Sequence, residues 1–321
     1  MGKPNFFIVG AAKAGTTALY GMLSKHPEVY LCPIKEPHHF ATEINPNSLR
    51  PLLHKRYALT NIQQYAEKGM PYPLHSYIVQ NRDVYESLFR FSGPAKAIGE
   101  ASPSYLHSST AARAIYEYNP DARIIIILRD PVSRLQSHYL MERRMGMTNL
   151  NIEAAIKEDT QLPERTWGSA ALYTELGFYA NQVKTYLKIF PADQVLILWH
   201  EELQKKPDEV FSAVCRFLDI NFIKPITGRY NVAEVPRSGL TRMIWRMEGL
   251  KDYLRKSIKS REVRRLIRKL LFRKTGTAEN MPSELEQRLR MLYSSDIAEL
   301  SAITGRNLAH WRGPIPADSV S

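Results

Sequence analysis

Asn5-Phe6-Phe7-Ile8-Val9-Gly10-Ala11-Ala12-Lys13-Ala14-Gly15-Thr16-Thr17 begins as a short apolar run that stops on a glycine. From Thr16 to Lys25 the spacing of Leu19, Met22 and Leu23 is that of a helix, so the segment reads as strand, loop, helix. Successive backbone N–H groups in such a loop, with the helix N-terminus behind them, form a cradle for an anion. The two glycines have the spacing of a Walker A loop, but Thr16 stands where the Walker lysine belongs, and the lysine of the loop is Lys13. A nucleoside triphosphatase uses the missing lysine on its β and γ phosphates, so the departure counts against triphosphate chemistry. Taken alone, the segment fits equally a tight strand-to-helix turn that holds no ligand.

Outward from this loop the pattern keeps alternating. Val29-Tyr30-Leu31 and Lys96 to Gly99 read as strands, and Ser109 to Tyr118 as a helix capped by Ser108 or Ser109. Arg123 to Leu128 contains four consecutive isoleucines, the mark of a central parallel strand. Asp130-Pro131 starts a helix that runs through Met145, with proline in the first turn, where its missing N–H is harmless. Ala170 to Phe190 is expected as one helix, Gln194 to Trp199 as a strand and Pro207 to Leu218 as a helix. From Ser238 the chain reads almost entirely helical, including Ser283 to Thr304. The expected fold is α/β: a P-loop-like three-layer sandwich with a central parallel sheet of about four or five strands flanked by helices, and a helical C-terminal portion. A single domain is expected over residues 1–321. Within it, 42–93, rich in Pro, Tyr, His and Asn and without a sustained period, is a substrate-side excursion. Residues 238–310 form a basic helical portion.

Composition narrows the classes. With 321 residues and 44% hydrophobic content the chain can bury a sizeable core. It shows no signal peptide pattern at its start and nothing near the roughly 18 consecutive apolar residues of a membrane span. A cytoplasmic enzyme is the expectation. Cys32 and Cys215 lack the spacing of a zinc site and read as ordinary buried thiols. The net charge is +12, and between Arg242 and Lys274 thirteen Lys or Arg stand against three acidic residues, so nearly all of the excess lies in one segment. Ile244, Met247, Leu250 and Leu254 give that segment an apolar face. It is either a docked helix pair with a solvated face or a surface for an anionic glycan or lipid, a peripheral membrane contact through 242–274. Nucleic acid is not an expected partner.

A second candidate anion site follows the isoleucine strand: Ile127-Leu128-Arg129-Asp130-Pro131-Val132-Ser133-Arg134-Leu135-Gln136-Ser137-His138-Tyr139. Arg129 leaves the carboxyl end of a central strand, where open α/β sheets bind ligands, and Ser137 lies two turns into the next helix. The bland alternative for Arg129 is an ion pair with Asp130 or Glu100; Arg134 divides evenly between a fold-stabilising bridge and a ligand contact. Taken with Gly10–Thr17, Lys35-Glu36-Pro37-His38-His39-Phe40, Gly99-Glu100-Ala101-Ser102-Pro103-Ser104-Tyr105-Leu106 and Asp296-Ile297-Ala298-Glu299-Leu300, the chain resembles sulfotransferases that use 3′-phosphoadenosine 5′-phosphosulfate (PAPS), in the branch of glycan sulfotransferases and bacterial homologues.

That resemblance implies a site. Lys13, Ala14, Gly15, Thr16 and Thr17 would hold the 5′-phosphosulfate, and Arg129 and Ser137 the 3′-phosphate. Glu36 would be the general base, with Lys35, His38 and His39 as adjacent alternatives, and Lys13 would neutralise the leaving oxygen. No metal is needed. In several relatives a lysine follows the acidic residue of the motif that here reads Glu100-Ala101, and Lys35 is the candidate to compensate. The late nucleotide loop of the family is matched by two rival segments, one with Lys274 and one with Arg237. The implied reaction moves a sulfuryl group to a hydroxyl, or less favourably an amine, of a glycan or small natural product. A P-loop kinase of small molecules and a non-catalytic nucleotide- or polyanion-binding protein are the competing readings.

Overall fold

Phe6–Gly10 forms β1 with all five residues buried, and its apolar side chains leave no polar face for solvent. The computed structural model describes residues 2–58, 60–225, 234–236, 272–274 and 281–313. After β1 come Thr16–Leu23 (α1), Val29–Leu31 (β2) and Ile34–Glu36 (β3). The stretch expected to be irregular holds Pro51–Ala58 (α2), Ile62–Glu67 (α3), Leu74–Ser76 (β4) and Arg82–Ser87 (α4). Next are Ala97–Ala101 (β5), Ala111–Tyr118 (α5), Arg123–Leu128 (β6), Pro131–Met145 (α6) and Ile152–Thr160 (α7). Tyr179–Ile189 (α8), Val195–Trp199 (β7), His200–Lys205 (α9) and Pro207–Leu218 (α10) follow. Glu234–Pro236 (β8), Phe272–Lys274 (β9), Ser283–Thr304 (α11) and Ala309–Arg312 (α12) complete the described elements.

The main sheet has five strands in the order β2-β5-β1-β6-β7, and each neighbouring pair is parallel. Helices flank it, as expected for strands buried on both faces. Ile124, Ile125, Ile126 and Ile127 are each 0% exposed, which makes β6 the centre of the core. Because the strands are parallel, β1, β5, β6 and β7 all release their loops at one edge. Cys32 and Cys215 are free and buried.

α6 shows how locally its ends are specified. The Asp130 carboxylate accepts from the Ser133 amide at 2.6 Å, Pro131 fills the first turn, and Gly146 ends the helix at φ 73°. The expected single helix over Ala170–Phe190 is not formed. The Asp159 carboxylate, at the end of α7, accepts from the amides of Ala171 (2.7 Å) and Tyr173 (3.0 Å), and Leu172 sits at φ 55°. These bonds hold 170–178 as a strap, and the helix starts only at Tyr179. There the Asp296 carboxylate, from α11, accepts from Tyr179 (2.8 Å) and Ala180 (3.1 Å). The excursion is also more regular than its sequence suggests, with helices too short to show a period. Asn45, Asn61 and Asn81 each cap a short helical turn through the side-chain oxygen.

In the stretch read as helical from Ser238 onward, Phe272–Lys274 instead pairs antiparallel with Glu234–Pro236, a distant partner that local spacing cannot reveal. The rest of the basic segment 242–274, and Arg237, lie outside the described residues. No helix among the described residues is long and apolar enough to cross a membrane.

Candidate active site

The loop after β1 is held so that it presents N–H groups. A Cβ on Gly10 would come within 2.6 Å of the Leu106 Cβ, so the close passage of Ser104–Leu106 over β1 requires glycine there. Lys13 at φ 66° and Gly15 at φ 111° both take left-handed backbone, which turns the chain sharply into α1. The carbonyls of Lys13 and Ala14 are already engaged: Arg129 Nη1 donates to the first at 3.1 Å and His200 Nδ1 to the second at 2.8 Å. The first amides of α1, at Thr16 and Thr17, have no acceptor within the helix by geometry. Ala14 and Thr16 are buried, while Lys13, Gly15 and Thr17 remain part-exposed. An anion seated here meets donors, not carbonyl oxygens.

Lys13 supplies the charge. Its Nζ lies 3.4 Å from the Met141 Sδ on α6, and burial, with Arg144 and Arg129 nearby, pulls its pKa from 10.5 to about 8. An ammonium that makes no ion pair among the described residues, with two arginines nearby, is poised for an incoming anion. Arg129, at the end of β6, is likewise depressed by burial and makes neither of the ion pairs the sequence allowed for it. Asp130 is spent on capping α6 and on Arg290 (3.2 Å), and Glu100 on hydroxyls. Ser137 is part-exposed on α6. Arg134 is fully buried and donates to the Tyr173 carbonyl and towards His138 Nδ1 (3.5 Å), so it anchors the strap within the fold.

Glu36 ends β3, and its side chain is 15% exposed. Burial raises its pKa, but the Lys35 ammonium, which bonds Oε1, outweighs that, aided by His75 (4.0 Å) and His38 (3.9 Å) where these are protonated, and holds it below the ordinary carboxylate value. The base candidate is thus ionised. The charges of Glu36 and Lys35 both act on Lys13, which places β3 and the first loop around one space. His38 is buried, and burial drops its pKa to about 4, so its ring is neutral at pH 7. Both its nitrogens are engaged, Nδ1 with Ser104 Oγ (2.7 Å) and Nε2 with Ser76 Oγ (3.1 Å). His39 stacks on Tyr85 and bonds the Val79 carbonyl, away from Glu36.

Three contributors escape a reading of the sequence: His200, Arg144 and His75. His200 begins α9 directly after β7, and its position at the carboxyl edge of the sheet was the signal available. Lys274 lies in β9 opposite Glu234; nothing is described for Arg237. Among the described residues no cluster of His, Cys, Asp and Glu suits a metal ion.

The chain is similar to known sulfotransferases. Human carbohydrate sulfotransferase 15 is 26% identical over 259 residues, covering 68% of this chain and 44% of its own length. The human bifunctional heparan sulfate N-deacetylase/N-sulfotransferase 3 is 26% identical over 220 residues, covering 68% of this chain and 22% of that protein. The chain thus spans less than half the length of these curated relatives. A sulfotransferase from Alicyclobacillus acidocaldarius superposes with a TM-score of 0.69 at 27% identity, covering 97% of this chain and all of that one. The model of the sulfotransferase family matches residues 4–224, from the entry into β1 to beyond α10, and so takes in the anion loop, Glu36 and Arg129 together: the chain belongs to the sulfotransferase family.

Proposed function

We propose that the protein transfers a sulfuryl group from PAPS to a hydroxyl of a carbohydrate or small natural product. The observation that carries this is the meeting of Lys13, the carboxylate Glu36 and the guanidinium Arg129 around one loop at one edge of the sheet. The residues fit the donor: a cradle of amides at Ala14–Thr17 and the Lys13 ammonium for the phosphosulfate, Arg129 with Ser137 for the 3′-phosphate. When bound, the donor supplies an activated S–O bond. Glu36 takes the proton of the acceptor hydroxyl as its oxygen bonds to sulfur. Lys13 stabilises the negative charge that the bridging oxygen acquires as the old S–O bond breaks. Arg129 and Ser137 fix the position of the nucleotide, so the attack is in line. Lys35 keeps Glu36 ionised and oriented.

The acceptor class draws on the carbohydrate sulfotransferases among the relatives and on the excursion's His75 beside Glu36 and its Tyr57 on Ser76. Titration calorimetry with 3′-phosphoadenosine 5′-phosphate (PAP), ATP with Mg²⁺ and adenosine 5′-phosphate, together with transfer of labelled sulfate from PAPS to a panel of glycans, tests the proposal. Tightest binding of PAP together with labelled product is expected. A preference for ATP with Mg²⁺, or PAP binding without turnover on any acceptor, overturns it.

A further inference from the structure

Glu100, on β5, is 0% exposed and is the meeting point of three hydroxyls. Tyr85 and Tyr105 donate to its Oε1 at 2.9 and 2.8 Å, and Ser102 to its Oε2 at 2.6 Å. No Lys or Arg among the described residues offsets this charge, and burial raises the pKa to about 7. A buried carboxylate without a cation is costly, and an apolar or amide side chain would fill the space at less expense. Its surroundings show what the charge accomplishes.

A hydroxyl has a single proton to give. Ser102 and Tyr105 give theirs to Glu100, so their oxygens are obliged to accept from the other side. Both accept from the turn that follows Glu36: the His38 amide donates to Ser102 Oγ at 3.1 Å and the Phe40 amide to the Tyr105 oxygen at 3.3 Å. His38, between them, is held at φ 52°, a conformation that a non-glycine residue keeps only when its surroundings impose it. The carboxylate thus sets the direction of two hydrogen-bond chains that end on the backbone two and four residues beyond Glu36.

We infer that Glu100 is a positioning residue for sulfuryl transfer, fixing through Ser102 and Tyr105 the turn that aims the Glu36 carboxylate; this rests on Glu36 being the base. Glu100→Gln preserves size but replaces one acceptor oxygen by a donor, which reverses at least one chain. A displacement of the base by an ångström costs on the order of 10²-fold in rate. We therefore expect kcat to fall by about 10- to 100-fold in Glu100→Gln, and less in Ser102→Ala, which cuts one chain only. The KM for PAPS and the Kd for PAP should be unchanged in both, which also shows that the variants are folded.

The double variant separates positioning from general loosening. With Glu36→Gln already in place there is no base left to aim, so Glu36→Gln/Glu100→Gln should be no slower than Glu36→Gln alone. Wild-type kcat in Glu100→Gln, wild-type kcat in Ser102→Ala, or an equal slowing of the wild-type and Glu36→Gln backgrounds by Glu100→Gln would each overturn the inference. Wild-type kcat in Glu36→Gln itself would instead remove the base assignment on which it stands.

Discussion

The guanidinium of Arg129 donates to the backbone oxygen of Lys13 across 3.1 Å, so two loops that are 116 residues apart in sequence brace each other. One donor of the planar fork is committed to the loop, and among the described residues the others have no hydrogen-bond partner, which suits them to an anion. Arg129→Lys keeps the charge but cannot serve both partners. It should weaken PAP by about tenfold or more and adenosine 5′-phosphate much less, since only the former carries a 3′-phosphate. Parallel calorimetric titrations check this; equal losses for both nucleotides would reduce Arg129 to a brace.

Lys13 should trade stability for function. Its folded pKa, about 8, lies below the unfolded 10.5, so between those values the unfolded chain binds more protons and stability rises with pH. At pH 7 the buried ammonium therefore costs stability. Lys13→Met should raise the unfolding free energy at pH 7, by an amount on the order of 1–3 kcal/mol, while abolishing transfer. The gain should fade as pH climbs towards 10.5.

The same residue predicts proton uptake. An anion at the loop raises the Lys13 pKa, so above about pH 8 the binding of PAP should take up protons and weaken as pH rises. Calorimetry in buffers of different ionisation enthalpy measures this directly. In Lys13→Met the uptake should vanish.

Lys35 bonds the base that it sits beside. Lys35 is the strongest influence that opposes burial, so without its ammonium the Glu36 pKa must rise. The acid limb of the kcat profile should accordingly lie below the ordinary carboxylate range in the wild type and move upward in Lys35→Met. An unmoved limb would detach Lys35 from Glu36.

Asp296 should matter for folding and not for binding. Its carboxylate caps two amides at the start of α8 from a helix more than a hundred residues later. Asp296→Ala should cost about 1–2 kcal/mol in denaturant titrations and leave the Kd for PAP unaltered.

What the chain reveals of itself follows the range of the interactions. β6, α6 and α10 are legible because their own residues bury them or cap them: four isoleucines, Asp130 with Pro131, Pro207. Lys13 and Arg129 are legible as groups at the strand exits because each follows its strand closely in sequence, at the edge where this architecture binds ligands. The strap at 170–178 was not, since Asp159 and Asp296, which define its ends, are remote from the residues they hold. The short helices of the excursion have too few turns to show a period, and only their asparagine caps betrayed them. The hydroxyls that surround Glu100 could not be paired by spacing, because the direction of each bond depends on a proton placed by the fold.

The sheet order β2-β5-β1-β6-β7 divides labour across its middle strand. The proposed nucleotide contacts issue from the ends of β1 and β6, whereas the chain between β2 and β5 carries Glu36 and the whole excursion. Exchange of residues 42–93 would cut neither β1 nor β6, the strands that lead into Lys13 and Arg129. Such a graft must retain the Arg50–Glu142 bridge, which fastens the excursion to α6, together with His75 beside Glu36, Ser76 on His38 and Tyr85 on Glu100. If the proposed division holds, exchanging the excursion should change the acceptor range and leave the Kd for PAP as it is.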